Sequence, residues 1–149
     1  MKAINLKTEY LINPIGIDIQ NPRLMWNCEG GIKQTAFRII AKSDEKNVWD
    51  SGKVVSSSMH ADYPDALTSR ERVEWSVRLW DENGLEGEPS EPAFFETGLL
   101  SASDFTAKWI SGNYRVNRKN RYPVDCFKKQ FNAQNVAKAR LYITACGLY

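Results

Sequence analysis

Val73-Glu74-Trp75-Ser76-Val77-Arg78-Leu79-Trp80 is the stretch that most restricts the fold. Val73, Trp75, Val77 and Leu79 are apolar, and Glu74, Ser76 and Arg78 between them are polar. Successive side chains of an extended strand point to opposite faces, so a period of two marks a strand with one buried face. Asp81-Glu82-Asn83-Gly84 follows. Asn-Gly is the strongest short hairpin signal, and the two acids before it read as turn chemistry rather than a catalytic cluster.

The same pattern recurs. Thr35 to Lys42 sets Phe37, Ile39 and Ala41 against Arg38 and Lys42. Asn47 to Ser56 reads as a strand broken at Ser51-Gly52, and Leu24-Met25-Trp26 opens a strand after Asn21-Pro22. Ala93 to Leu99 closes the region after Pro89 and Pro92. Turn signals roughly every ten residues, without long amphipathic helices, predict an all-β sandwich.

The pattern changes near residue 100. Leu99 to Asp104 reads as a boundary with a helical turn capped by Ser101 or Ser103. Lys108-Trp109-Ile110 reads as an apolar knot, residues 111–125 as irregular and basic, and Cys126–Phe131 and Ala139–Ala145 as strands. Two strands bury no core in water. The expected organisation is therefore a sandwich over residues 1–100, then a linker and the first strands of a second, incomplete β-sandwich over 101–149. The chain is expected to be part of a longer protein, with exposed strand edges that promote dimerisation.

Charge excludes some partners. The 149 residues carry 20 Lys and Arg against 18 Asp and Glu, a net +2. That gives no global pull toward nucleic acid or an anionic membrane. No stretch approaches the ~20 apolar residues of a membrane span, and the N-terminus lacks a signal-peptide pattern. Cys28, Cys126 and Cys146 form no C-x-x-C pair. They are expected as reduced thiols, at least two of them buried. This favours the cytoplasm, with a secreted parent whose leader was removed as the alternative.

Few residues suggest chemistry. His60 is the sole histidine, in the loop-like "SSSMHADYPD". Ser58, His60 and Asp62 lie too close in sequence to converge as a triad, and His60, Asp62 and Asp65 fall short of a built metal site. The acids Asp44-Glu45, Asp81-Glu82 and Glu86/Glu88 form no pair fixed across a substrate. Gly30-Gly31 lacks the strand–loop–helix context of a phosphate loop. The run Tyr114 to Pro123, with Arg115, Arg118, Lys119 and Arg121, reads as a solvated loop rather than a nucleic-acid face. No catalytic, cofactor-binding or metal residue is assigned, and no cofactor is expected. Trp80, Arg78, Tyr63 and Tyr114 are the candidates for sugar or interdomain contact, with Arg78 and Trp80 placed on one outward face either to stack as a cation–π pair or to meet a neighbouring domain.

Seven motifs then occur in order: "NPIGID" (Asn13–Asp18), "NPRLMW" (Asn21–Trp26), "QTAFRI" (Gln34–Ile39), "WDSGKV" (Trp49–Val54), "WSVRLWDENG" (Trp75–Gly84), "FETGLL" (Phe95–Leu100) and "AKWI" (Ala107–Ile110). Together they resemble the N-terminal region of bacterial α-L-rhamnosidases, inverting glycoside hydrolases. "ARLYITACGLY" (Ala139–Tyr149) is similar to the first strands of that family's next sandwich. Met25 departs from a usual serine, and Phe37 from a frequent tyrosine. The resemblance implies a fibronectin-III/immunoglobulin-like sandwich that is non-catalytic, because the family's catalytic acid and base lie in a helical barrel far downstream. It implies the parent's other domains as partners and rhamnosylated glycans as ligands. The alternative is a carbohydrate-binding or partner-binding sandwich.

Overall fold

The computed structural model describes residues 1–43, 48–64, 66–115, 117 and 119–146. The strands among them are β1 (Lys2–Thr8), β2 (Ile15–Ile17), β3 (Arg23–Glu29), β4 (Ala36–Ser43), β5 (Val48–Asp50), β6 (Val54–Val55), β7 (His60–Asp62), β8 (Arg72–Trp80) and β9 (Ala93–Thr97). They build two sheets. One has three strands in the order β1-β3-β7, and the other has the order β2-β9-β8-β4-β5, with β6 also on β4. The pairings are antiparallel except β2 with β9. The sandwich and its all-β class are as the alternation predicts.

The core lies between the sheets. Val73, Trp75, Val77 and Leu79 of β8 are buried, as the period of two requires, beside Phe37, Ile39 and Ala41 of β4. Leu24 and Trp26 of β3 meet them from the facing sheet, with Ala3 and Leu6 of β1. Gln34 ties the region above β4 together. Its side-chain Oε1 accepts from the Trp26 indole N–H (2.9 Å), and its side-chain Nε2 donates to the Ser56 and Ser58 backbone carbonyls.

The turn after β8 forms as expected, but it does not lead straight into β9. Asp81 Oδ1 accepts from the backbone N–H of Asn83 and of Leu85 (both 2.9 Å), and Gly84 takes φ +76°. The chain then bridges back from Glu86 to Trp80, and β9 starts only at Ala93. Glu82 reaches the other way. Its carboxylate accepts from the N–H groups of Ile32 and Lys33, which holds its pKa below the ordinary value. Both acids thus serve backbone amides.

Three elements differ from expectation. Lys2–Thr8 forms β1, unread because a bulge between Ile4 and Lys7, with Asn5 at φ +52°, breaks the alternation. Ile15–Ile17 forms a short edge strand on β9. His60–Asp62 is not loop but strand, pairing with Arg23–Met25.

The chain divides into two units, Met1–Ala107 and Lys108–Tyr149. At the end of the first, Ala102–Asp104 forms the helical turn, and Ser101 is its cap. In the second, Cys126–Phe131 and Ala139–Ala145 carry no strand ladder. Alternation assigns faces, but a strand also needs a neighbour to bond. Trp109 and Ile110, read as an apolar knot, are exposed. Cys126 and Cys146 are exposed and Cys28 is half-buried, so the expectation of two buried thiols is wrong. Among the described residues, no helix is long and apolar enough to cross a membrane.

Candidate functional site

The outward face of the six-stranded sheet carries two of the four candidate residues. Arg78 of β8 pairs directly with Arg38 of β4, and Trp80 pairs with Ala36. Like charges placed opposite each other on one face repel, and two carboxylates resolve the conflict. Asp50 of β5 accepts from both Arg38 Nε (2.8 Å) and Arg38 Nη2. Glu86 accepts from Arg78 Nη1 at 2.5 Å. The Arg38 hydrogen bond, with the Gly52 N–H as a second donor, brings the Asp50 carboxyl down to about 2. The same pairing raises Arg38. A general acid needs a carboxyl shifted upward, toward the working pH. Asp50 is shifted the opposite way, so this face is a charge-compensated ladder.

Trp80 does not stack with Arg78. Lys53, from the connection between β5 and β6, sits with its ammonium 4.5 Å from the Trp80 ring centroid. Trp80 is only 7% exposed. The cation–π pair expected within one strand is supplied by a residue 27 positions away, because Arg78 is held by Glu86.

Tyr63 is a correction. Placed in a loop as a sugar-stacking candidate, it is 3% exposed and belongs to the core. Its ring meets Trp49 edge-on at 5.5 Å and Phe95 at 5.9 Å. Its backbone N–H bonds the Pro22 carbonyl, which draws it under the sheet. A ring enclosed on this scale has no face for a sugar.

Tyr114 lies in the second unit. It stacks on Tyr122 at 4.9 Å, and its hydroxyl donates to the Asp125 carboxylate at 3.1 Å. Asp125 thereby raises the Tyr114 pKa. One face of the Tyr114 ring is taken by its neighbour. Arg118 of the basic run lies outside the described residues, as do Asp44, Glu45 and Asp65.

Ser58 Oγ does approach His60 Nδ1 (3.1 Å), but the same hydroxyl lies 3.1 Å from the His60 carbonyl and both side chains reach the surface. No group of three or more metal-ligating side chains occurs among the described residues.

Sequence reasoning missed Asp50, Glu86 and Lys53 as partners of the outward face, and the exposed apolar run from Tyr10 to Ile19. The run has a signal at its start: Tyr10, Leu11 and Ile12 are three consecutive apolar residues, which a strand with one buried face cannot hide together.

Residues 3–101 match the family profile described as Rha78A-like, N-terminal immunoglobulin domain. The chain is 40% identical over 121 residues to the α-L-rhamnosidase of Streptomyces avermitilis, covering 74% of this chain and 12% of that protein. It is 32% identical to the α-L-rhamnosidase of Alteromonas sp. (strain LOR), covering 99% of this chain and 18% of that protein. Among solved structures, it is similar to the α-L-rhamnosidase from Dictyoglumus thermophilum, with TM-score 0.67 and 36% identity over 74% of this chain and 14% of that one. The Streptomyces avermitilis α-L-rhamnosidase complexed with L-rhamnose aligns with TM-score 0.67 and 39% identity, over 74% of this chain and 12% of that one. The chain thus spans less than a fifth of the length of these curated relatives.

Proposed function

The chain belongs to the family of Rha78A-like N-terminal immunoglobulin domains, and from that premise we propose that it is the non-catalytic accessory region of an α-L-rhamnosidase. In this reading its role is to pack on and stabilise the remaining domains of the parent, which hydrolyses terminal α-L-rhamnose from glycosides. The carrying observation is the family match over residues 3–101 in a chain that fills 12–18% of its relatives. The geometry of the outer face agrees with it. Asp50 and Glu86 are each bound to an arginine, and Asp81 and Glu82 to backbone amides.

The test compares this chain with its full-length parent on an aryl α-L-rhamnoside. The expected result is hydrolysis by the parent and none by residues 1–149. Hydrolysis by the isolated chain, abolished by a single Asp or Glu substitution, would overturn the proposal. Deleting residues 1–107 from the parent should lower its unfolding temperature, and an unchanged temperature and rate would remove the accessory role.

A further inference from the structure

We infer that the strip Tyr10–Ile19, with the groove beside β1, is the surface on which this domain docks against later domains of the same polypeptide. The inference rests on the accessory-domain reading above and names the surface that performs it.

Five large apolar side chains within ten residues face water: Tyr10 (62% exposed), Leu11 (55%), Ile12 (71%), Ile15 (61%) and Ile19 (40%). Single exposed apolar residues need no explanation, but a contiguous group rimmed by polar residues marks an interaction surface. Ile12 also borders a groove of about 320 Å³ with Ile4, Asn5 and Pro92, rimmed by Lys2 and Glu91. Lys2 and Glu91 form an exposed ion pair there. An apolar centre with a charged rim is the anatomy of a protein interface.

The strip is held rigidly in this form. It carries the chain from β1 in one sheet to β2 in the other. Thr8 and Leu11 exchange backbone hydrogen bonds, and the Pro14 carbonyl accepts from Glu96 N–H. Glu9 and Tyr10 take φ of +48° and +67°, and Arg23 fixes both by accepting or donating at Glu9 and the Tyr10 hydroxyl. Asn13 Oδ1 accepts from Phe94 N–H at 2.9 Å. A surface held this firmly loses little conformational entropy on docking.

Chemistry selects the occupant. A sugar site needs polar groups left over to orient hydroxyls. Here Glu9 Oε1 and Asn13 Oδ1 each accept from a backbone amide, and the five exposed apolar side chains outnumber the single exposed carboxylate of the strip, Asp18. An apolar protein surface fits better. The chain fills only 12–18% of these relatives and matches a family of N-terminal domains, so in such a polypeptide most of the chain follows this domain. Tethering gives that remainder a high effective concentration, and a modest apolar surface then suffices.

The test is the double variant Ile12→Asp/Ile15→Asp, made in residues 1–149 and in the full-length parent. Both side chains are exposed here, so the short chain should melt at its wild-type temperature. The parent should lose roughly 5 °C or more from its first transition, on the scale expected for a domain-sized unit losing about 1 kcal/mol. An unchanged parent, in which deletion of residues 1–107 does destabilise, defeats this surface but not the accessory reading. A parent indifferent to that deletion defeats the reading itself. If the variant unfolds the short chain, a photo-crosslinker at Leu11 of the parent decides. Linkage to a residue beyond 149 supports the docking surface, and linkage only within residues 1–107 overturns it. Sedimentation velocity completes the set. A concentration-dependent dimer of residues 1–149, abolished by the variant, would assign the surface to self-association instead.

Discussion

Arg38 and Arg78 stand directly opposite each other on β4 and β8, and each is neutralised by a different carboxylate, Asp50 for the first and Glu86 for the second. The register that buries Ile39 against Val77 also places the two guanidinium groups side by side. A slip of one residue would turn every core side chain outward, so the arginines cannot separate. The carboxylates make the register tolerable.

Asp50 makes this arrangement pH-dependent. Its carboxyl sits near 2 in the folded chain, below its ordinary value of 3.8. A carboxyl lowered by folding stabilises the fold above its unfolded pKa, and the contribution disappears as pH falls through the folded value. The gap in melting temperature between wild type and Asp50→Asn should be largest above about pH 5 and close toward about pH 2. Because the pair is exposed, the gap should be small and should shrink in about 1 M salt. Thermal unfolding across that pH range checks it, and a gap that widens in acid contradicts the assignment.

Trp75 separates packing from polarity in the core. It is 1% exposed, yet its indole Nε1 has no hydrogen-bond partner among the described residues. Trp75→Ala should cost about 3–5 kcal/mol through the cavity it leaves. Trp75→Phe removes some volume but also a buried donor whose isolation costs about 1–3 kcal/mol. The two effects oppose, so Trp75→Phe should fall within about 2 kcal/mol of wild type. Urea unfolding of both variants measures the difference, and a Phe variant as weak as the Ala variant would mean that the indole nitrogen is bonded.

How much of this was legible follows from the residues. The strand β8 could be read because four apolar residues alternate without interruption. β1 could not, because its bulge buries Ala3, Leu6 and Thr8 at a spacing of three and then two. Tyr63 lies among Asp and Pro, which signal a loop, while the contacts that bury it come from Trp49 and Phe95, distant in sequence. Lys53 over Trp80 and Asp50 beside Arg38 depend on strand order, which local sequence does not encode. Motif order identified the family despite these misses, since it does not require knowing where any side chain points.

Glu71 closes the far end of the sandwich. It is buried, and its carboxylate accepts from Ser43 Oγ (2.7 Å), Thr68 N–H (2.9 Å) and Thr68 Oγ (2.8 Å). Its own N–H donates to Thr97 Oγ1, which in turn donates to the Thr68 carbonyl. Glu71→Ala would strip several donors of their acceptor at once. Leaving a buried donor unsatisfied costs about 1–3 kcal/mol, so a loss of about 2–4 kcal/mol is expected by chemical denaturation. Thr97→Val should weaken the same end by less, because it leaves the carboxylate in place.

The three thiols should react at two different rates. Cys126 and Cys146 are exposed, whereas Cys28 is half-buried on β3 with its Sγ 3.4 Å from the Gln34 side-chain Oε1. Burial pushes the Cys28 thiol above its ordinary value. The thiolate is the reactive form, and a raised pKa lowers its fraction at neutral pH. Titrating the native chain with DTNB at about pH 7.5 should therefore release two equivalents quickly and the third slowly. In denaturant all three should react together, because the unfolded chain restores Cys28 to its ordinary pKa and full access. Raising the pH should speed the slow phase past the point at which the fast phase levels off. Cys28→Ser should remove the slow phase alone, and loss of a fast phase instead would place the buried thiol elsewhere.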